Sequence, residues 1–300
     1  MSAIDGAATV ARYTVEHETR YAYRVAVSQS WQLAHLTPPA LPWQTVTRHL
    51  LAIEPPPDER HERSDAFGNR VTHFGIHGPH PLLEVRMTCD VEVTDRADAS
   101  AVAGLAWEEV REALRDEPAQ DALMPARMTE PSALVGWSDA ARAYAATTFV
   151  AGRDWLDAVT ALMRRIHREF DFEPGTTTVT TSVDEVLAQK SGVCQDFAHV
   201  MIACLRSHGL AARYVSGYLL TQPPPGQPRL LGADVSHAWV AAYSPRHGWV
   251  EFDPTNDQLA DRRYVTLATG ADFGDVVPLR GVILGGRGQR MQVAVSVIPR

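Results

Sequence analysis

The chain has 300 residues, enough for one large domain or two ordinary ones, and its 45% hydrophobic and 21% charged residues fit a globular protein. Its formal net charge of −8 argues against nonspecific nucleic-acid binding and against attraction to an anionic membrane surface. Three scattered cysteines (Cys89, Cys194 and Cys204) are too few for a disulfide framework or a zinc site. They are expected to stay reduced, which suits a cytoplasm.

Met1 to Tyr23 shows no basic segment followed by an apolar run, so no signal peptide is expected, and no stretch approaches 18 apolar residues. Ala11 to Thr94 reads as β-rich, with strands expected over Ala11–Val27, Thr45–Ile53 and Leu82–Val93. Pro55-Pro56-Pro57 and Asp65-Ala66-Phe67-Gly68-Asn69 punctuate them. Residues 1–95 are therefore expected to form a β-rich domain. From 96 to 137 the composition shifts to Ala, Asp, Glu and Pro, which reads as a linker on a surface with a short helix at Trp107–Arg115. The remaining residues, 138–300, are expected to form the second domain. Ser138 can cap an Ala-rich helix to about Phe149, and Asp154 can cap a helix with an apolar stripe from Trp155 to Phe170. Ser182 and Glu185 form a capping box for a helix ending near Lys190.

Ser191-Gly192 then breaks the chain before a helix that starts at Cys194. Phe197, Val200, Met201, Cys204 and Leu205 make one apolar stripe along it, and Gly209 is a natural stop. A cysteine at a helix N-terminus meets unpaired N–H groups and the positive end of the macrodipole, both of which favour the reactive thiolate. Arg213–Leu220 reads as a strand, and 221–235 as a Pro-rich loop that could act as a specificity or gating element. Ser236–Ala242 and Gly248–Asp253 read as a hairpin. With a five-residue loop at 243–247, Ala242 faces Gly248 and His237 faces Asp253, about 5 Å apart at Cβ.

Cys194, His237 and Asp253 thus follow one another in the order of a nucleophilic triad. The cysteine would attack a carbonyl carbon and form a thioester, the histidine would carry the proton, and the aspartate would hold the imidazole and stabilise its charged form. The Cys194 backbone N–H could supply half of an oxyanion hole. Gln189 and Trp239 are candidates for the other half, although no spacing selects them. Asp196 is either a favourable charge at the helix start or an ion-pair partner of Arg213. His199 lies about 140° from Cys194 around the helix and is expected to pack rather than act as a base. His247 is expected to be solvated in its turn. His73, His77 and His80 lie close in sequence, but no carboxylate or thiolate at suitable spacing completes a metal site. No calcium-loop spacing is present, and no metal or cofactor is expected.

Three blocks give the chain a family resemblance: GVCQDFAHVMIACLRSHGLAARYVSGYL from Gly192, SHAWVAAYSPRHGWVEFDPTND from Ser236, and FDFEPGTTTVTTSVDEVL from Phe170. It resembles the transglutaminase-like superfamily of papain-related folds, and most nearly the bacterial transglutaminase-like cysteine proteases. The N-terminal half is similar to the β-rich domain that precedes this core, with His17–Tyr23, Asp65–Asn69 and Pro79-His80 as signposts. The resemblance implies an α+β fold with the nucleophile helix packed on an antiparallel sheet, and it assigns the catalytic roles to Cys194, His237 and Asp253. It implies a peptide or amide substrate and leaves the acceptor open. Hydrolysis is the default because water is abundant. Acyl transfer to an amine, as in transglutaminases or arylamine acetyltransferases, is the alternative, and a non-catalytic peptide-binding protein is a third reading. Oligomeric state is not legible.

Overall fold

The computed structural model describes residues 10–116, 123–220 and 236–300. The N-terminal part is a sheet built on one long strand, β1 (Ala11–Thr37). Along one side of β1 pair β5 (His80–Val93) and then β4 (Arg70–Ile76), flanked in turn by β2 (Gln44–Glu54) and β3 (Glu59–Ser64). Inward-facing Val15, Leu83, Val85, Met87 and Val91 form its core. The strands β3 and β4 were not expected. Glu59–Ser64 (ERHERS) is polar and exposed on both faces, so it carries no period-2 apolar signal.

The second part begins earlier than residue 138. Helix α1 (Trp107–Arg115) and helix α2 (Leu123–Arg127) bring Trp107, Val110, Leu114 and Met128 into the same core as the later helices. The described residues of this region therefore do not simply run over a surface, since Trp107, Val110, Leu114, Met128 and Val135 are buried in the main core. Helix α3 (Asp139–Ala145) is capped by Ser138 and ends four residues before Phe149, while helix α4 (Trp155–Glu169) is capped by Asp154. A two-residue parallel ladder joins β6 (Asp171–Phe172) to β7 (Ser191–Gly192) on either side of helix α5 (Val183–Gln189), whose Ser182–Glu185 capping box forms.

Helix α6 (Cys194–Arg206) packs its apolar stripe on a second antiparallel sheet. The order there is β11 (Gln258–Leu259), β10 (Gly248–Asp253), β9 (Ser236–Ser244), β8 (Ala212–Leu219), β12 (Tyr264–Gly270). The final strand, β13 (Leu279–Pro299), leaves this sheet and pairs with β1 from Ala34 to Tyr13. The second unit thus does not extend to residue 300: the last strand lies in the N-terminal sheet, where Val295 and Val297 join its core.

The two sheets are locked together at the free edge of β12. The Gln44 amide donates to the Thr266 carbonyl (2.9 Å) and accepts from the Thr266 N–H (2.8 Å). Asn69 does the same at Thr269, at 2.7 and 2.9 Å. Each side-chain amide acts as one peptide unit of an absent neighbouring strand, satisfying edge groups that would otherwise be buried unpaired. The Asp65–Asn69 turn aims Asn69. Asp65 Oδ1 accepts the N–H groups of Phe67 and Asn69, its Oδ2 accepts the Asn69 side chain, and Gly68 takes a positive φ of 85°.

Candidate active site

The site is assembled at the start of α6 and the adjoining ends of β9 and β10. Helix α6 begins at Cys194 because Val193 is extended and Asp196 folds back, its Oδ2 accepting the Val193 N–H at 2.8 Å and the Thr177 hydroxyl at 2.7 Å. This fold-back requires Gly192, where a Cβ would lie 2.6 Å from Asp196 Oδ2. Asp196 is thus a buried anchor for the helix start and the threonine loop, and it does not pair with Arg213. The Arg213 guanidinium instead lies over the Trp249 ring, 4.2 Å from its centroid, and burial lowers its pKa to about 10.

The hairpin register differs from the expected one. Gly248 pairs with Ser244 and Val250 with Ala242, so the loop is the three residues 245–247. The two-residue slip conserves the faces, because side chains alternate with period 2. His237 and Asp253 therefore remain on one face, in a diagonal relationship that the distal imidazole nitrogen can span. His237 Nε2 lies 2.7 Å from Asp253 Oδ2. Both side chains are buried.

Asp253 is held from five directions. Its Oδ2 also accepts the Tyr264 hydroxyl (2.6 Å) and Asn256 Nδ2 (2.7 Å), and its Oδ1 accepts the backbone N–H groups of Thr255 and Asn256. Burial pushes the carboxyl pKa up, but the bond and charge of His237 and the donors from Asn256 and Tyr264 outweigh it, and the net direction is down. Burial likewise pulls His237 down, yet hydrogen bonds and charge from Asp253 and Cys194 raise its pKa to about 10. The imidazole is thereby favoured as its cation, next to the sulfur. Trp239 covers the ring in a stacked arrangement at 6.0 Å.

The other candidate donors are engaged elsewhere. The indole N–H of Trp239 donates to Glu251 (3.1 Å), which is also bound by Arg96, and the Gln189 amide donates to the Ser191 carbonyl (3.0 Å). The single indole N–H of Trp239 is therefore spent, and the Gln189 amide is turned toward Ser191. His199 is buried and accepts the Phe273 N–H, and burial lowers its pKa to about 4. His247 is stacked on Trp155 rather than solvated. His80 turns inward to Ser30 and the Gly78 carbonyl while His77 is exposed beside Glu59, so the histidines of that region do not converge. Among the described residues no three ligands are grouped for a metal ion. The loop 221–235 lies outside the described residues.

Two supporting residues had escaped the sequence. Asn256 had a local signal, because an aspartate followed by N–H groups two and three residues later is a side-chain-closed turn. Tyr264 had none. It comes from β12, eleven residues beyond Asp253, and only the sheet brings it there.

Residues 13–92 match the family described as bacterial transglutaminase-like N-terminal region, and residues 142–254 match the transglutaminase-like superfamily. An uncharacterized protein of Mycobacterium tuberculosis is 40% identical over 96% of this chain and 93% of its own length. An uncharacterized protein of Mycobacterium leprae is 34% identical over 95% of this chain and 98% of its own length. A protein-glutamine gamma-glutamyltransferase of Pseudomonas aeruginosa is 32% identical over 35% of this chain and 16% of its own. The crystal structure described as a "putative cysteine protease" from Cytophaga hutchinsonii aligns with a TM-score of 0.73, covering 96% of this chain and 91% of that one at 21% identity, and so shares the fold. No helix among the described residues is long and apolar enough to cross a membrane.

Proposed function

The chain belongs to the transglutaminase-like superfamily, a cysteine-based hydrolase and acyltransferase family, and on that premise we propose that it is an amide or peptide hydrolase acting through a thioester on Cys194. The observation that supports this reading is geometric: His237 Nε2 is bound to Asp253 Oδ2 at 2.7 Å, and the same ring lies beside Cys194 at the first residue of α6. Because Nε2 is held by Asp253, Nδ1 is the nitrogen that takes the thiol proton. The sulfur then adds to the substrate carbonyl carbon, and the resulting oxyanion meets the N–H groups at the start of α6. The tetrahedral adduct collapses to the thioester as His237 returns its proton to the leaving amine. Water, deprotonated by His237, attacks the thioester, and the acid product leaves as the thiol regains its proton. Asp253 keeps the imidazole oriented throughout and offsets its charge.

Acyl transfer to an amine is the second reading, supported by the local likeness to the glutamyltransferase. The acceptor then replaces water in the last step.

Labelling tests the reading cleanly because burial pushes the Cys89 and Cys204 thiols up to about 12 and leaves them inert. Iodoacetamide at neutral pH should modify Cys194 alone, and Cys194→Ala should lose both the label and all turnover of a peptide and amide library. Amine incorporation measured against ammonia release separates transfer from hydrolysis. Persistent labelling or turnover in Cys194→Ala would sink both.

A further inference from the structure

The outer face of α4 and the segment after α3 enclose an open cleft of about 400 Å³. Its lining includes four arginines (Arg153, Arg164, Arg165 and Arg168) and one acid, Asp157. The whole chain is acidic, with 36 acidic against 28 basic residues, so this concentration of positive charge runs against the composition.

Two of the guanidiniums are set in place by the protein. Arg165 donates to the Tyr144 carbonyl and to the Thr147 hydroxyl (2.7 Å), lies 3.9 Å from the centre of the Tyr144 ring, and is 23% exposed. Arg153 donates to the Thr148 carbonyl (3.1 Å), the next residue along. The Thr147 hydroxyl accepts from Arg165 and so keeps its own proton for a ligand.

The other two are unspent. Arg164 and Arg168 stand four residues apart on α4, a like-charge spacing that destabilises a helix. Arg168 has no ion-pair or hydrogen-bond partner among the described residues. Arg164 meets Asp257 at 3.8 Å, with its own side chain 61% exposed. A pair so long and so exposed is weak, and Arg164 can leave it for a better acceptor.

The neighbouring acids do not cancel these charges. Glu169 is shared between Arg165 (2.7 Å) and Lys190 (3.1 Å). Asp157 lies about 10 Å along the helix axis before Arg164 and one turn beyond Arg153. Past Arg153, Asp154 and Glu108 accept backbone N–H groups of Leu156, Asp157 and Gly152. At the C-terminal end of the cleft, Arg164, Arg165, Arg168 and Lys190 therefore face Glu169 and Asp257, an excess of two positive charges.

We propose that this cleft binds a multivalent oxyanion of the phosphate class, held by Arg164, Arg165, Arg168 and the Thr147 hydroxyl. Planar guanidinium forks match pairs of phosphate oxygens, and three of them exceed what one carboxylate can satisfy. The bound anion also relieves the Arg164–Arg168 repulsion. A free anion and the phosphoryl groups of a larger molecule share this chemistry.

The test is calorimetric titration of the full-length chain at about 0.15 M ionic strength, where long-range attraction is screened. Pyrophosphate should bind at one site, at least about tenfold more tightly than acetate. The double variant R164E/R168E should lose at least about tenfold in affinity, and Arg168→Gln, which removes the partnerless charge alone, should weaken binding in the same direction. R287E/R290E makes the same change in net charge at exposed positions of β13 and should bind like the wild type. A melting curve of each variant checks that it is folded. ADP binding more tightly than pyrophosphate would assign the group to a nucleotide, and equal binding to the free anion. Pyrophosphate binding that survives R164E/R168E, that falls equally in R287E/R290E, or that is no tighter than acetate would overturn the proposal.

Discussion

His237 and Asp253 occupy diagonal positions across the β9–β10 ladder, and the imidazole reaches the carboxylate through Nε2 at 2.7 Å. The diagonal sets the division of labour in the imidazole: the far nitrogen is anchored and the near one is left for the sulfur.

Removing the Asp253 charge should therefore move the pH profile. The proposed ion pair needs protonated His237, so activity falls as the pH rises through its pKa, near 10. Asp253→Asn takes away an adjacent opposite charge and should lower that pKa by about 1–3 units, bringing the alkaline limb to about pH 7–9. The sign for stability is the same. The folded pKa lies above the ordinary 6.5, so the contribution is full below about 6.5 and disappears as the pH climbs toward 10. Melting curves of Asp253→Asn should be flatter across that window, and an unchanged alkaline limb would contradict the role given to the carboxylate.

Gly192→Ala should damage the chemistry more than the fold. The new methyl would sit 2.6 Å from Asp196 Oδ2 and 2.8 Å from its Cβ, forcing Asp196 off the Val193 N–H. A displaced helix start moves the sulfur, and turnover should fall by up to about 100-fold. Asp196→Ala should mimic this while costing about 1.5–3 kcal/mol through the lost charged hydrogen bonds. Wild-type iodoacetamide labelling rates at Cys194 in both variants would refute the link.

The side-chain amides at the β12 edge should be worth more than surface hydrogen bonds. Asn69→Ala or Gln44→Ala leaves one N–H and one C=O of β12 without a partner, at a cost of about 2–4 kcal/mol each. Urea unfolding measures it. A loss below about 0.5 kcal/mol would show that water replaces the amide.

Acid should weaken the fold through two buried histidines. His17, held by Tyr218 and Thr19, and His199 both have their pKa lowered by burial to about 4. The unfolded chain binds protons near 6.5 while the native state does not, so stability drops as the pH falls from about 6.5 to about 4. His199→Gln should reduce the proton uptake on unfolding by about one over that interval, measured from the pH dependence of unfolding. No reduction would mean that His199 is already charged in the folded state.

Much of the local structure was legible in the sequence because its causes are local. Caps at Ser138, Asp154 and Ser182, the glycine before Cys194 and the stripe along α6 each depend on residues within a turn or two of one another. The hairpin gave the correct face for His237 and Asp253 although its loop was two residues too long, since a period of 2 forgives an even slip. What the sequence by itself determined was therefore the family resemblance, the α+β class and which residues could carry the chemistry.

Tertiary structure alone decided how those residues are supported. Tyr264 reaches Asp253 across a sheet, Arg96 crosses from the 96–137 region to Glu251, and β13 returns to pair with β1 across the whole chain. These contacts join positions from 11 to about 290 residues apart, and no periodicity or cap encodes them. They form because buried donors, acceptors and strand edges must find partners, and which partner is nearest is fixed only when the sheets have packed.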